Sequence, residues 1–122
     1  MTPEEMKKRT KQFALRAMKL CDSLPSTRSG NVIANQLTRS ATSVGANYRA
    51  ACRARSNADF ISKIGITLEE ADESVYWMEL IVESGMKSEN QIELLLTEGN
   101  ELIAIFVASS NTAHKSSNKR TN

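Results

Sequence analysis

Apolar residues recur at helical spacing in four separate segments of the chain. The clearest pattern lies between Ile61 and Val82, where apolar residues follow one another at alternating steps of three and four. That spacing is typical of a coiled-coil seam. Similar stripes lie between Met6 and Leu24, Ile33 and Ala51, and Ile92 and Phe106. The pattern therefore predicts four amphipathic helices.

Capping residues and helix breakers mark the ends of these segments. A Ser or Thr precedes three of them, each with an acidic or amide side chain three residues later: Thr2 with Glu5, Ser56 with Asp59, and Ser88 with Gln91. Such pairs form capping boxes at helix N-termini. Pro25 ends the first segment, and Gly85 suits the left-handed residue that follows the third. We expect helices over residues 3–23, 30–53, 56–84 and 88–108.

The helices and the C-terminal residues divide the chain into two parts. Residues 111–122 are polar and basic and lack apolar anchors, which predicts a disordered basic tail. Residues 1–110 form one domain, in which short loops favour antiparallel neighbours. The sequence thus predicts an all-α fold, an antiparallel up-down-up-down four-helix bundle.

Several function classes lack their required residues. Di-metal sites in helical bundles and nucleophilic triads need histidines in the core, but the single histidine is His114, in the expected tail. Cys21 and Cys52 have no metal-ligand spacing, and no Gly-rich phosphate loop is present. We expect no enzymatic activity, no metal and no cofactor.

The longest apolar run, Leu102–Ala108, is too short to span a bilayer, so we expect a cytoplasmic protein without membrane attachment.

Charge is distributed unevenly along the chain. Residues 1–55 hold 11 Lys/Arg and 3 Asp/Glu, a net charge of +8, whereas residues 56–110 hold 2 Lys/Arg and 11 Asp/Glu, a net charge of −9. A split of this kind has two interpretations, a basic surface for nucleic acid or basic helices that pack beside acidic ones.

Arginines of the second helix carry the strongest binding signal. Because Arg39, Arg49 and Arg53 share the side opposite the apolar stripe, they can form a basic strip for phosphates. Alternatively they pair with carboxylates of the acidic half, such as Glu70 or Glu98, because the Arg fork suits either anion. The candidate nucleic-acid-binding residues are Arg39, Arg49, Arg53, Arg55, Lys7, Lys8 and Lys11.

Apolar residues also lie off the core stripes. Trp77, with Ile66 and Ile81 nearby, falls on the back of the third helix, and Leu15 and Met18 fall off the stripe of the first. Such patches mark contact surfaces, which predicts self-association through these five residues. The alternative is a wider core that wraps further around the third helix.

Three motifs carry a family resemblance. They are the run from Gln36 to Ala51 (QLTRSATSVGANYRAA), Arg53-Ala54-Arg55-Ser56 followed by Asp59-Phe60, and Glu69-Glu70-Ala71-Asp72-Glu73-Ser74 with Tyr76-Trp77. Together they resemble the bacterial four-helix bundle proteins encoded in intervening sequences of the 23S ribosomal RNA gene. The resemblance covers residues 10–108. Thr38 and Met78 stand where this family usually has Leu, and neither change threatens the fold.

The resemblance implies an up-down four-helix bundle that assembles into a homopentamer and has no known enzymatic activity. The family is similar to the accessory variability protein of diversity-generating retroelements, which partners a reverse transcriptase and binds nucleic acid through a basic surface. By that analogy an RNA- or DNA-binding adapter is one functional hypothesis, with RNA, DNA or a reverse transcriptase as partners. The other hypothesis is a protein-interaction scaffold whose charged faces serve self-assembly.

Overall fold

Four α-helices make up the computed structural model of this chain, which describes residues 1–121 and their side chains through Asn118. The described residues contain no strand. The helices are α1 (Pro3–Asp22), α2 (Arg28–Cys52), α3 (Asn57–Glu83) and α4 (Glu89–Thr121). Short loops join consecutive helices, and the predicted all-α fold is confirmed.

The predicted capping residues form the expected hydrogen bonds. At the start of α1, the Thr2 hydroxyl accepts from the Glu5 N–H and the Glu5 carboxylate accepts from the Thr2 N–H, each at 3.1 Å. The Ser56 hydroxyl accepts from the Asp59 N–H at 3.0 Å, which caps α3. Gly85 follows α3 with a φ of +82°, a left-handed conformation that glycine adopts without strain. These local signals therefore set the starts of α1 and α3 and the end of α3.

Contacts between neighbouring helices run in opposite order along the two helices of each pair. On α3 and α4, the Asn57 amide reaches the carbonyl of Ala113, whereas Val75 lies against Gly99. Residues later on α3 thus contact residues earlier on α4, so the two helices are antiparallel. The same reversal relates α1 to α2, where Thr10 lies against Gly45 and Cys21 against Thr38. Each helix packs on two neighbours, α1 and α3 each contacting both α2 and α4.

The buried face of α3 differs from the predicted seam. Thr67, Ser74 and Ile81 are fully buried, whereas the predicted seam residues Leu68 and Val82 are only half-buried. A serine can face the core because its hydroxyl is satisfied there, donating to the Glu70 carbonyl at 2.8 Å and lying 3.0 Å from the Ser40 hydroxyl. The helix is therefore rotated toward α2. Ile81, which we predicted as an interface residue, belongs to the core.

The C-terminal residues also differ from the prediction. Instead of ending near Ala108, α4 continues to Thr121, and Ala113 is buried against the bundle. The Asn57 amide donates to the Ala113 carbonyl at 2.8 Å and to the Ser117 hydroxyl at 2.6 Å. The predicted disordered tail is therefore wrong for the helical residues 111–121, because Ala113 packs against the bundle and a polar side chain of α3 anchors this part of α4. Residue 122 lies outside the described residues.

Candidate functional site

Cations of α1 and α2 converge on one surface cleft near the ends of the two helices. The cleft has a volume of about 300 Å³ and one acidic lining residue, Glu4. Its basic lining residues, which define the basic cleft, are Lys7, Lys8, Lys11, Arg49 and Arg53. Five of the seven residues that the sequence predicted for nucleic-acid binding therefore lie together.

The antiparallel packing of α1 on α2 explains this convergence. The first turns of α1 lie beside the last turns of α2, so two segments some forty residues apart in sequence share one surface. Within each helix, the spacing i, i+4 places side chains on the same face. Lys7 and Lys11 have this spacing on α1. Arg49 on α2 has the same spacing to Arg53, the residue that follows the last turn of α2.

Carboxylates neutralise little of the charge in the basic cleft. Lys7 pairs with Glu4 at 3.1 Å, and the Glu4 side chain is 81% exposed, so the pair is weak. Lys8, Lys11, Arg49 and Arg53 make no ion pair with a carboxylate among the described side chains. Five cations and one carboxylate leave a net charge of +4 in the cleft. Concentrated positive charge of this kind attracts anions.

The two other predicted arginines lie outside the basic cleft. Arg39 lies earlier on α2 than Arg49 does, near Glu70 of α3. Burial and the neighbouring Glu73 raise the pKa of the Glu70 carboxyl, and the charge of Arg39 acts against that rise. Arg39 therefore faces the acidic half of the chain, but it makes no ion pair with a carboxylate among the described side chains.

Arg55 lines a second pocket, which opens at the end of the bundle and has a volume of about 690 Å³. This end pocket is bounded by the start of α1, the end of α2 and the start of α3. Its walls include Lys7, Tyr48, Cys52, Arg55, Asn57 and Phe60. Because Lys7 also lines the basic cleft, the two cavities adjoin.

Tyr48 connects the end pocket to the core of the bundle. Its ring centroid lies 5.9 Å from that of Phe106. Burial first, and then the neighbouring Cys52, raise the pKa of the Tyr48 phenol above its ordinary value. The hydroxyl is therefore uncharged at neutral pH and adds no negative charge beside the cations.

One basic residue of α1 has a different role from its neighbours. Arg9 donates from Nε and Nη2 to the two carboxylate oxygens of Glu98 on α4, each at 2.7 Å, and its Nη2 also contacts Glu101. The Arg9 and Glu98 side chains are 22% and 16% exposed. These contacts hold the +8 part of the chain against the −9 part. Sequence reasoning missed the pair because Arg9 lies within a run of lysines, and only the packing of α1 on α4 shows that its side of the helix meets Glu98.

The predicted interface residues divide into exposed and buried ones. Leu15, Met18 and Ile66 are exposed, at 46%, 41% and 38%. Trp77 is half-buried, and its indole N–H donates to the Glu73 carboxylate at 3.3 Å. The indole therefore lies partly over the core, while Leu15, Met18 and Ile66 present apolar surface.

Two features are absent from the part of the chain that the structure describes. Among the described residues, no group of three or more His, Cys, Asp or Glu side chains is arranged to hold a metal ion. In the same part of the chain, no helix combines the length and the apolar character needed to cross a bilayer.

The fold and the basic cleft define a small helical bundle protein with a concentrated cationic surface. The model of the family described as 23S rRNA-intervening sequence protein matches residues 4–108. The chain therefore belongs to the 23S rRNA-intervening sequence protein family.

A solved structure of similar fold supports the assignment. It is a protein of unknown function from the S23 ribosomal protein family of Bacteroides thetaiotaomicron, with a TM-score of 0.79 and 35% sequence identity. The match covers 85% of this chain and 96% of that one. No curated protein matches this chain.

Proposed function

We propose that this protein is a non-enzymatic, homo-oligomeric adapter that binds RNA or DNA through the basic cleft. The observation that carries the proposal is the convergence of five cations with a single exposed carboxylate, Glu4. A structural role for these cations would require carboxylate partners like those of Arg9. Lys8, Lys11, Arg49 and Arg53 lack them among the described side chains.

Nucleic acid suits the cleft better than a small anion does. The cations of the cleft come from successive turns of two helices, so they can contact successive phosphates of a chain. Each phosphate that a cation neutralises releases condensed counterions, which makes such binding strongly dependent on salt.

The proposal is tested by measuring the affinity for a fluorescently labelled RNA across a series of salt concentrations. The variant Lys8→Gln/Arg49→Gln removes two cations of the basic cleft. We expect the plot of log affinity against log salt concentration to become shallower, by an amount that corresponds to about two phosphate contacts. Affinity should fall for all sequences alike, because phosphate contacts carry no base information.

A matched control removes the same charge elsewhere on the protein. Arg16→Gln/Lys19→Gln changes two exposed cations near the other end of α1. This variant should bind like the parent if the basic cleft is the site. Equal losses in the two variants would show that overall charge determines binding. No binding by the parent at low salt would refute the proposal.

Self-assembly is the second candidate function, and the exposed apolar side chains favour it. Leu15 and Met18 lie on α1 and Ile66 lies on α3, and a second copy of the chain could cover them. Under this proposal the oligomer is a homopentamer, as the family resemblance implies, and its charged faces serve assembly.

Light scattering separates this candidate from the first. Leu15→Glu/Met18→Glu should reduce the solution mass to that of a smaller assembly, because a buried charge without a partner opposes association. Leu94→Glu is the control, since Leu94 is 77% exposed and lies outside the predicted patch. If the Leu15/Met18 variant keeps the parent mass and a native circular dichroism spectrum, this surface is not the interface.

A further inference from the structure

The end pocket has a chemistry that phosphate binding alone does not use. Phe60 is half-buried in its wall, and the half-buried Ala54 adds apolar surface. Polar groups lie among them: the Arg55 guanidinium, the uncharged Tyr48 hydroxyl and the Asn57 side chain. An aromatic face with a few polar groups is the usual environment for a planar heterocycle.

The position of this pocket links it to the basic cleft. Lys7 forms part of both walls, so a chain whose phosphates lie along the cleft passes the mouth of the pocket. In nucleic acids the base and the phosphate of one nucleotide are separated by a single sugar. A nucleotide held at Lys7 can therefore place its base toward Phe60.

We propose that the cleft and the pocket together bind single-stranded nucleic acid, with phosphates along the basic cleft and one unpaired base stacked on Phe60 in the end pocket. This inference rests on the proposed function and specifies its substrate class. A base inside a duplex is stacked on both faces and paired at its edge, so it cannot enter the pocket without being extruded. Single strands and loops present such bases at lower cost.

The first experiment separates the base from the phosphates. Two labelled single strands of about twelve nucleotides are compared, an oligothymidylate and an abasic strand of equal length and charge. We expect the oligothymidylate to bind about 5- to 100-fold more tightly, as measured for stacking of one base on an aromatic side chain. The salt slopes should agree, because the phosphate contacts are the same.

The outcomes distinguish this inference from the proposed function. If the two strands bind equally, and both bindings depend on salt, the stacked base is refuted and the basic cleft remains. If neither strand binds at low salt, the stacked base is refuted. If the labelled RNA does not bind either, the proposed function itself fails.

Two variants locate the base. Phe60→Leu retains apolar packing but removes the ring, and should abolish the preference for the base-bearing strand while leaving the affinity for the abasic strand unchanged. Tyr76→Leu removes an aromatic ring that is 53% exposed elsewhere on α3, and should leave the preference intact. Loss of the preference in Tyr76→Leu rather than in Phe60→Leu would place the base outside the pocket.

A second measurement uses the unmodified protein and does not depend on variants. Cys52 is exposed in the wall of the end pocket, and Cys21 is buried, so iodoacetamide should alkylate Cys52 selectively. Saturating oligothymidylate should slow alkylation of Cys52 at least several-fold, whereas the abasic strand and a duplex should have little effect. Equal alkylation rates with and without oligothymidylate, at full binding, would show that no base occupies the pocket.

Discussion

Arg9 and Glu98 form a two-point ion pair between α1 and α4, with Nε and Nη2 of the guanidinium each 2.7 Å from a carboxylate oxygen. The geometry is the fork arrangement that Arg makes with carboxylates and Lys cannot. α1 and α4 are distant in sequence and no loop connects them. The pair therefore fixes the contact that closes the bundle between its first and last helices.

Removing the carboxylate of this pair should destabilise the protein. We expect Glu98→Gln to lower the free energy of unfolding by about 1–2 kcal/mol, because both side chains are largely buried and the hydrogen bonds are charge-assisted. Glu101→Gln is the control, since Glu101 is 58% exposed and should contribute below about 0.5 kcal/mol. Urea denaturation of both variants gives the comparison, and equal effects would contradict the assigned geometry.

Two helical glycines should respond in opposite ways to alanine. A Cβ at Gly99 would lie 2.8 Å from Cγ2 of Val75, a rigid side chain, whereas a Cβ at Gly65 would meet no atom within 4 Å. Alanine favours a helix by about 1 kcal/mol over glycine. We therefore expect Gly65→Ala to stabilise the protein by up to that amount.

At Gly99 the overpacking cost of about 1–3 kcal/mol should exceed the gain in helix propensity. Gly99→Ala should therefore lower the thermal midpoint, while Gly65→Ala raises it. A rise in both midpoints would mean that α3 and α4 are less closely packed than the contact between Val75 and Gly99 indicates.

Stability should decrease at alkaline pH because of Tyr48. Its phenol has a pKa raised above the ordinary value of 10.0, so the unfolded chain releases this proton at a lower pH than the folded protein does. The contribution of the protonated Tyr48 phenol to the free energy of unfolding is fully present below about pH 10 and is lost as the pH rises toward the folded-state pKa. Thermal midpoints measured across this range should fall less steeply in Tyr48→Phe. Identical slopes in the variant and the parent would show that the phenol ionises normally in the folded state.

The last turns of α4 should depend on Asn57. Its amide donates to the Ala113 carbonyl and the Ser117 hydroxyl, which anchors this part of α4 on the start of α3. We expect Asn57→Ala to accelerate amide hydrogen exchange by about tenfold for residues near 113–117, while the core of the bundle is unaffected. Asn100→Ala is the control, because the Asn100 amide donates to Leu96 within the same helix. Unchanged exchange in Asn57→Ala would show that other contacts hold the end of α4.

The basic cleft was partly predictable because helical phase places Lys7 with Lys11 and Arg49 with Arg53 without tertiary information. That α1 and α2 bring these two pairs together follows from antiparallel packing, which short loops also predict. Arg39 and Arg55 could not be assigned in this way. The position of Arg39 around α2 is compatible with a phosphate or a carboxylate partner, and Arg55 lies in the loop after α2, where helical periodicity predicts nothing.

The sequence by itself determined the four helices, their caps at Thr2 and Ser56 and the left-handed turn at Gly85, because these depend on groups within a few residues of one another. Only the tertiary structure decided that Ser74 faces the core, that Arg9 pairs with Glu98, and that α4 continues past Ala108. In each case a polar side chain finds its hydrogen-bond partner on another helix. The sequence of one helix does not identify a partner on another helix. Apolar periodicity therefore cannot show which polar residues become buried when the helices pack.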